Sequence, residues 1–139
     1  VPLEAELGED VLWLALCCWK EARGQTAAAK LGQCWVVRNR ARSSLPRWPR
    51  RILDVVTQPY QFSALTAPGD PNLAKWPKSL DPSWGDCISA ARECLSGNTP
   101  DPTAGATFYY SDPLSAPPPG WGGIVSTVEI DGLHFYKLA

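Results

Sequence analysis

From Val11 to Trp19 the chain is apolar without interruption (VLWLALCCW). A helix that is apolar on every side belongs in the middle of a domain, so this run predicts a buried central helix over residues 9–22. Glu9 and Asp10 stand at its start, where carboxylates suit the positive end of the helix dipole, and Gly24 follows as a stop. A second helix is predicted from Thr26 to Arg42. Its apolar set is Leu31, Cys34, Trp35, Val37 and Ala41, which leaves Lys30, Gln33, Arg38 and Arg40 outside or at the edge of a groove. Pro46 and Pro49 close that helix, Ile52 to Val56 is a short apolar segment, and Gln58 to Leu80, rich in proline, reads as loop.

Asp81 followed by Pro82 is a cap and a first helical position, and Gly97 is a stop, so a third helix runs to Ser96 with Ile88, Ala91, Cys94 and Leu95 inward. Thr107 to Tyr110 reads as a short strand, and Pro117 to Gly120 as a rigid connector. The chain closes on a predicted hairpin, with Ile124–Ile130 and Leu133–Leu138 flanking the turn pair Asp131-Gly132. That register sets Glu129 against His134 and Thr127 against Tyr136 on one face, and Val128 beside Phe135 on the other. The expected architecture is α+β, mainly α, as one domain over residues 1–139.

Composition narrows the function. A chain of 139 residues with 45% hydrophobic content can form a core without staples. The net charge of −1 gives no field toward nucleic acid or anionic membrane. No apolar run approaches the roughly 20 residues that span a bilayer. Arg38, Arg40, Arg42, Arg47, Arg50 and Arg51 cluster around Trp48 without a nucleic-acid motif; they read as a solvated face with a couple of ion pairs, or as a weak hold on anionic wall polymer. Seven Trp is high, and Trp76, Trp84 and Trp121, in or beside loops, offer either sugar-stacking faces or core packing.

Five cysteines, an odd count with no C-x-x-C pair, and a single histidine, His134, argue against a metal site, and no cofactor is expected. Cys17 and Cys18 lie in the apolar helix, and buried free thiols suit a protein that matures in a reducing cytoplasm. The chain opens at Val1 with no basic-then-apolar leader.

Glu21 is the residue whose position points to chemistry. It lies in the last turn of the apolar helix, where the dipole disfavours a carboxylate and burial would raise its pKa. A carboxylic acid kept protonated near neutrality can protonate a glycosidic oxygen. The alternative is an ion pair with Lys20 or Arg23 at a solvated helix end.

The order of short blocks along the chain adds to this. Glu21-Ala22-Arg23-Gly24 is followed by a helix ending Val36-Val37-Arg38-Asn39-Arg40, then Gln58-Pro59-Tyr60-Gln61-Phe62-Ser63, then Ala106-Thr107-Phe108-Tyr109-Tyr110-Ser111-Asp112-Pro113, and last His134-Phe135-Tyr136. Together they resemble the cell wall hydrolase family of the spore cortex-lytic enzymes, over about Val11 to Lys137. The resemblance implies a small lysozyme-like fold and peptidoglycan glycan strands as substrate. It places the catalytic glutamate on Glu21, groove-wall residues on Gln58, Phe62 and Ser63, and the aromatic strand on Tyr109 and Tyr110. The chain departs from the family pattern at Gln25, at Ala29-Lys30 and in the position of His134.

Mechanism at this stage rests on the carboxylate inventory. A two-carboxylate glycosidase needs its second carboxyl within roughly 5–9.5 Å of the first. Asp54, Asp70, Asp81, Asp86, Asp101 and Glu129 fall outside the family blocks or at turns and caps, and Asp112 precedes a proline. With Glu21 alone, the N-acetyl group would stabilise the oxocarbenium-like centre and the muramic 6-hydroxyl would attack it, leaving a 1,6-anhydromuramic end. Ser63 and a neighbouring tyrosine are natural hydrogen-bond donors to the carboxyl or the N-acetyl carbonyl. The expectation is a monomeric lytic transglycosylase acting on the wall, plausible as a phage endolysin made in the host cytoplasm. Kept beside it are a hydrolytic muramidase, a zinc amidase, a Cys–His peptidase and a non-catalytic wall-binding module.

Overall fold

The structure, a computed structural model, describes residues 4–59, 61–111 and 122–139. Expectations for Tyr60, Asp112, the connector at 117–120 and Trp121 lie outside the described residues.

Helix α1 (Glu4–Ala22) is the spine of the fold. It begins earlier than the predicted Glu9, because Glu-Ala-Glu-Leu favours helix and Gly8 inside it costs only about 1 kcal/mol. It is not enclosed along its whole apolar run. Leu14 through Trp19 are buried, whereas Leu12 is 55% exposed. Helices α2 (Ala27–Arg42) and α5 (Pro82–Ser96) and the short α3 (Ile52–Val56) surround its second half. A single turn, α4 (Ser63–Thr66), interrupts the segment read as loop and also packs on α1.

The caps follow the sequence. At α5, the Asp81 carboxylate accepts from the Ser83 backbone N–H at 2.9 Å and Gly97 ends the helix at φ 75°. At α2, Thr26 Oγ1 accepts from Ala29 N–H at 3.2 Å and donates to Asp131 Oδ2 at 2.6 Å, which ties the helix start to the hairpin turn.

Strands β1 (Phe108–Ser111), β2 (Ile124–Ile130) and β3 (Leu133–Leu138) form an antiparallel sheet in the order β1-β3-β2. Asp131 and Gly132 both take positive φ, 48° and 92°, as a two-residue hairpin turn requires. Glu129 pairs with His134 and Val128 with Phe135, but Tyr136 faces Ser126 rather than Thr127. A bulge between Ser126 and Val128 makes Thr127 the extra residue.

One buried cluster joins α1, α2, α3 and α5 through Leu14, Trp19, Trp35, Val37, Val55 and Ala91. A second joins α2 to the sheet through Ala29, Val36, Leu133 and Phe135. Gly32 lets these layers close: a Cβ there would lie 2.7 Å from Phe135 Cζ. Lys30, Gln33 and Arg40, expected outside or at a groove edge, are 5%, 0% and 4% exposed. They sit inside because α2 is covered on two sides, by α1 and α5 and by the sheet, so it has little outer face. All five cysteines are buried as free thiols in the helical core.

Candidate active site

Glu21 is delivered by the last turn of α1 to one wall of a cleft of about 360 Å³, lined also by Arg40, Gln61, Phe62, Ser63, Phe108 and Tyr109. Each wall has a local cause. Phe62, 2% exposed, anchors the segment before α4, so the first turn of α4 faces the end of α1. Alternation along β1 sends Tyr109 toward Phe135 and the helices, with ring centroids 6.0 Å apart. Arg40 reaches in from α2, its Nε donating to the Thr107 carbonyl at 2.7 Å and its Nη1 to Gln61 Oε1 at 3.2 Å. Its guanidinium lies over Phe62, Phe108 and Trp48, at 5.2, 5.5 and 5.7 Å from the ring centroids.

Burial pushes the Glu21 carboxyl up to about 7; a hydrogen bond from the Ala64 backbone N–H, in the first turn of α4, draws it back, and the negative Asp70 adds to the rise. Glu21 Oε1 is buried and has no hydrogen-bond partner among the described residues. Lys20 and Arg23 do not pair with Glu21. Lys20 Nζ donates to the carbonyls of Asn72 and Leu73 at 3.2 and 2.9 Å, and Arg23 donates to Asn72 Oδ1 at 2.7 Å. Both cations thus clamp the 70–73 turn onto the end of α1.

Tyr109 stands beside Glu21. Burial holds its hydroxyl well above the ordinary phenol range, with the nearby Glu21 charge adding to the rise, while Gln33 and Arg40 oppose it. It therefore stays a neutral phenol at any working pH and can donate a hydrogen bond.

Of the residues singled out in the sequence, Glu21, Phe62, Ser63 and Tyr109 meet in this cleft. Gln58 and Tyr110 are elsewhere. Gln58 Nε2 donates to the Arg47 carbonyl at 2.9 Å. Tyr110 turns to the opposite face of β1, stacked on His134 and Tyr136 with its hydroxyl 3.1 Å from that of Tyr136. Ser63 is not a donor to the cleft: its hydroxyl donates to Asp70 Oδ2 at 2.6 Å. Of the other tryptophans, Trp84 lies in the first turn of α5, and Trp76, 62% exposed, has Lys20 Nζ 4.1 Å from its ring centroid.

Sequence reasoning missed Arg40, Gln61, Phe108 and the buried Gln33. A signal existed for two of them. Ala29, Gln33, Val36 and Arg40 fall at helical spacing on one stripe of α2, so two polar side chains interrupt an inward face. The arginine cluster is corrected accordingly: Arg40 is buried and belongs to the cleft, Arg47 stacks on Trp48 and Phe108, and Arg51 pairs with Glu9 at 3.3 Å. Among the described residues no group of three His, Cys, Asp or Glu side chains could hold a metal ion, and no helix is long and apolar enough to cross a membrane.

A buried central helix that ends in a carboxyl raised to about 7, facing a one-turn helix and a small antiparallel sheet across a cleft, defines a lysozyme-like α+β domain. Two solved structures share this fold. The catalytic domain of the germination-specific lytic transglycosylase SleB from Bacillus anthracis aligns with a TM-score of 0.72 at 22% identity, over 99% of this chain and 100% of that one. The catalytic domain of the Bacillus cereus SleB protein aligns with a TM-score of 0.71 at 21% identity, over 94% and 91% of the two chains. The chain belongs to the Cell Wall Hydrolase family, whose sequence model matches residues 21–136. No curated protein is a significant match.

Proposed function

We propose that this domain cleaves peptidoglycan glycan strands between N-acetylmuramic acid and N-acetylglucosamine as a monomeric lytic transglycosylase. The observation that carries the proposal is the half-buried Glu21, its carboxyl raised to about 7 by burial, in a cleft where Glu21 is the one carboxylate among the described lining residues. Glu21 gives its proton to the glycosidic oxygen as the bond to muramic C1 breaks. The N-acetyl group supports the cationic centre. The Glu21 carboxylate then takes the proton of the 6-hydroxyl as that oxygen bonds to C1, which restores the acid and consumes no water. Arg40 and Tyr109 supply donors for acceptor groups of the bound sugar.

Among the described residues Asp70 is the one carboxylate whose charge reaches Glu21, and it favours a second reading, a hydrolytic muramidase. Its chemistry suits that role poorly. Oδ2 is taken by Ser63 and Oδ1 by the Asn72 N–H, and both bonds hold the carboxyl below its usual range, which makes it a weak base toward water. A Cys–His peptidase is disfavoured because the five thiols are buried and His134 is stacked on Tyr110. Thiols kept free in the core support synthesis in a reducing compartment, as for a phage lysin made in the host cytoplasm.

The test is the chemistry of the new ends. Digestion of purified peptidoglycan, followed by mass spectrometry, is expected to give muropeptides ending in 1,6-anhydromuramic acid, one water lighter than hydrolysed ends. Predominantly reducing muramic ends would establish the muramidase instead, and intact glycan with cleaved stem peptides would remove both.

A further inference from the structure

Outside the acid itself, the most constrained polar arrangement near the cleft is the 70–73 turn and the serine it grips. Ser63 opens α4 and lines two adjoining cavities, the Glu21 cleft and a second of about 460 Å³ formed with Pro59, Thr66, Ala67 and Pro68. Its hydroxyl has one hydrogen, and that hydrogen lies on Asp70 Oδ2 at 2.6 Å. An ionised carboxylate has no proton to give, so the bond can run only from Ser63 to Asp70. What Ser63 offers the cleft is therefore a lone pair. It can accept from a sugar hydroxyl or an amide N–H; it cannot donate to a carbonyl.

Asp70 is itself held from three directions. Its Oδ1 accepts from Asn72 N–H at 2.8 Å, its carbonyl accepts from Leu73 N–H at 3.1 Å, and the turn is fixed to α1 by Lys20 and Arg23. The two basic residues flanking Glu21 in sequence thus hold the turn that carries Asp70, while Asp70 acts on Glu21 through space.

We infer that Asp70 is a positioning residue: it fixes Ser63 as a hydrogen-bond acceptor for a hydroxyl or amide N–H of the bound sugar, and its carboxylate is held on the turn that Lys20 and Arg23 clamp to the Glu21 end of α1. The inference rests on the reading of Glu21 as the acid. Other groups facing Glu21 or Asp70 are Cys17, Lys20 and Arg23 from α1, Arg40 from α2 and Tyr109 from β1. Among the described residues only Asp70 presents a carboxylate charge to Glu21.

Asp70→Asn is the informative change. The amide oxygen is needed by Asn72 N–H, so the NH2 must face Ser63 and donate to it, which turns the serine hydrogen toward the cleft. The variant is expected to lose roughly tenfold in kcat/KM even at acid pH where Glu21 is protonated, the scale of one reversed hydrogen bond. Its alkaline limb should also move to lower pH, because the charge that raised Glu21 is gone. Ser63→Ala should show the acid-side loss while its limb stays near that of wild type. In the Ser63→Ala background, Asp70→Asn should add no further acid-side loss and should still shift the limb. Asp70→Glu should restore the limb.

Initial rates of wall-suspension clearing across pH, with folding of each variant followed by circular dichroism, read all of this. An Asp70→Asn limb that coincides with wild type, or acid-side losses that multiply in the double variant, would overturn the inference. Ser63→Ala alone guards against a turn that fails to fold: unchanged kcat/KM in that variant also overturns it. Failure of the underlying reading is distinguishable, since it would show as full activity in a Glu21→Gln variant.

Discussion

Glu21 sits where two influences on a carboxylate coincide, the negative end of α1 and a half-buried wall. Its position in the last turn of an apolar helix was legible, as were Phe62 and Ser63 in their block. The roles of Lys20, Arg23 and Asp70 were not, because a turn fifty residues away in sequence takes both cations away from the glutamate. Two outcomes follow from a pKa of about 7. Activity should hold on the acid side and fall as pH rises through about 7, measured as a rate profile. Stability should carry the same signature. The folded-state pKa is raised above the ordinary 4.5, so the stability linked to the neutral acid is complete below 4.5 and lost as pH rises through about 7. Glu21→Gln should therefore melt above wild type at pH 8, and the two should converge near pH 4. Arg40 gives a third test. Its fork joins Thr107 and Gln61, and a lysine ammonium cannot span both, so Arg40→Lys should cost about 2 kcal/mol in urea unfolding.

At the scale of elements, strong local signals survived. Asp81-Pro82 and Gly97 bound α5 where the sequence put it, and Asp131-Gly132 made the hairpin turn. What failed was decided by contacts between elements. Gln33 and Arg40 were expected outside or at a groove edge because polar residues usually are; both are buried, with Arg40 lining the cleft, because α2 is enclosed by α1, α5 and the sheet. The bulge that displaces Thr127 leaves no mark in a pattern of alternating residues. Nor does α4, one turn long, show a period. Gly32 is the sharpest case of element packing, because its missing side chain is where Phe135 rests. Gly32→Ala should lose about 1–3 kcal/mol from overpacking, partly offset by about 1 kcal/mol of helix propensity. A lowered melting temperature that Phe135→Leu recovers in the double variant would confirm the contact.

For the whole molecule, the design is a helical core that buries five thiols and a small sheet that closes one side of the cleft. Neither a metal nor a thiolate enters the proposed chemistry, so activity should persist in strong chelator and after alkylation of the folded protein. Loss on chelation that zinc restores would favour an amidase. The α+β class was readable because one buried helix, one capped helix and one hairpin fix most of the layout, and the lysozyme-like architecture was implied by the resemblance of the ordered sequence blocks to the cell wall hydrolase family. The cleft was only half readable, since Arg40 and Gln61 line it from separate parts of the chain and Asp70 reaches it through Ser63. The most direct measurement is the turnover of purified peptidoglycan by Glu21→Gln, an exchange that keeps size and removes the proton to be given. General acid–base catalysis contributes about 10²–10⁴-fold, so release of soluble muropeptides should drop by at least a hundredfold while sedimentation with insoluble wall is unchanged. A variant that keeps a tenth or more of wild-type release would contradict the assignment of Glu21 as the acid.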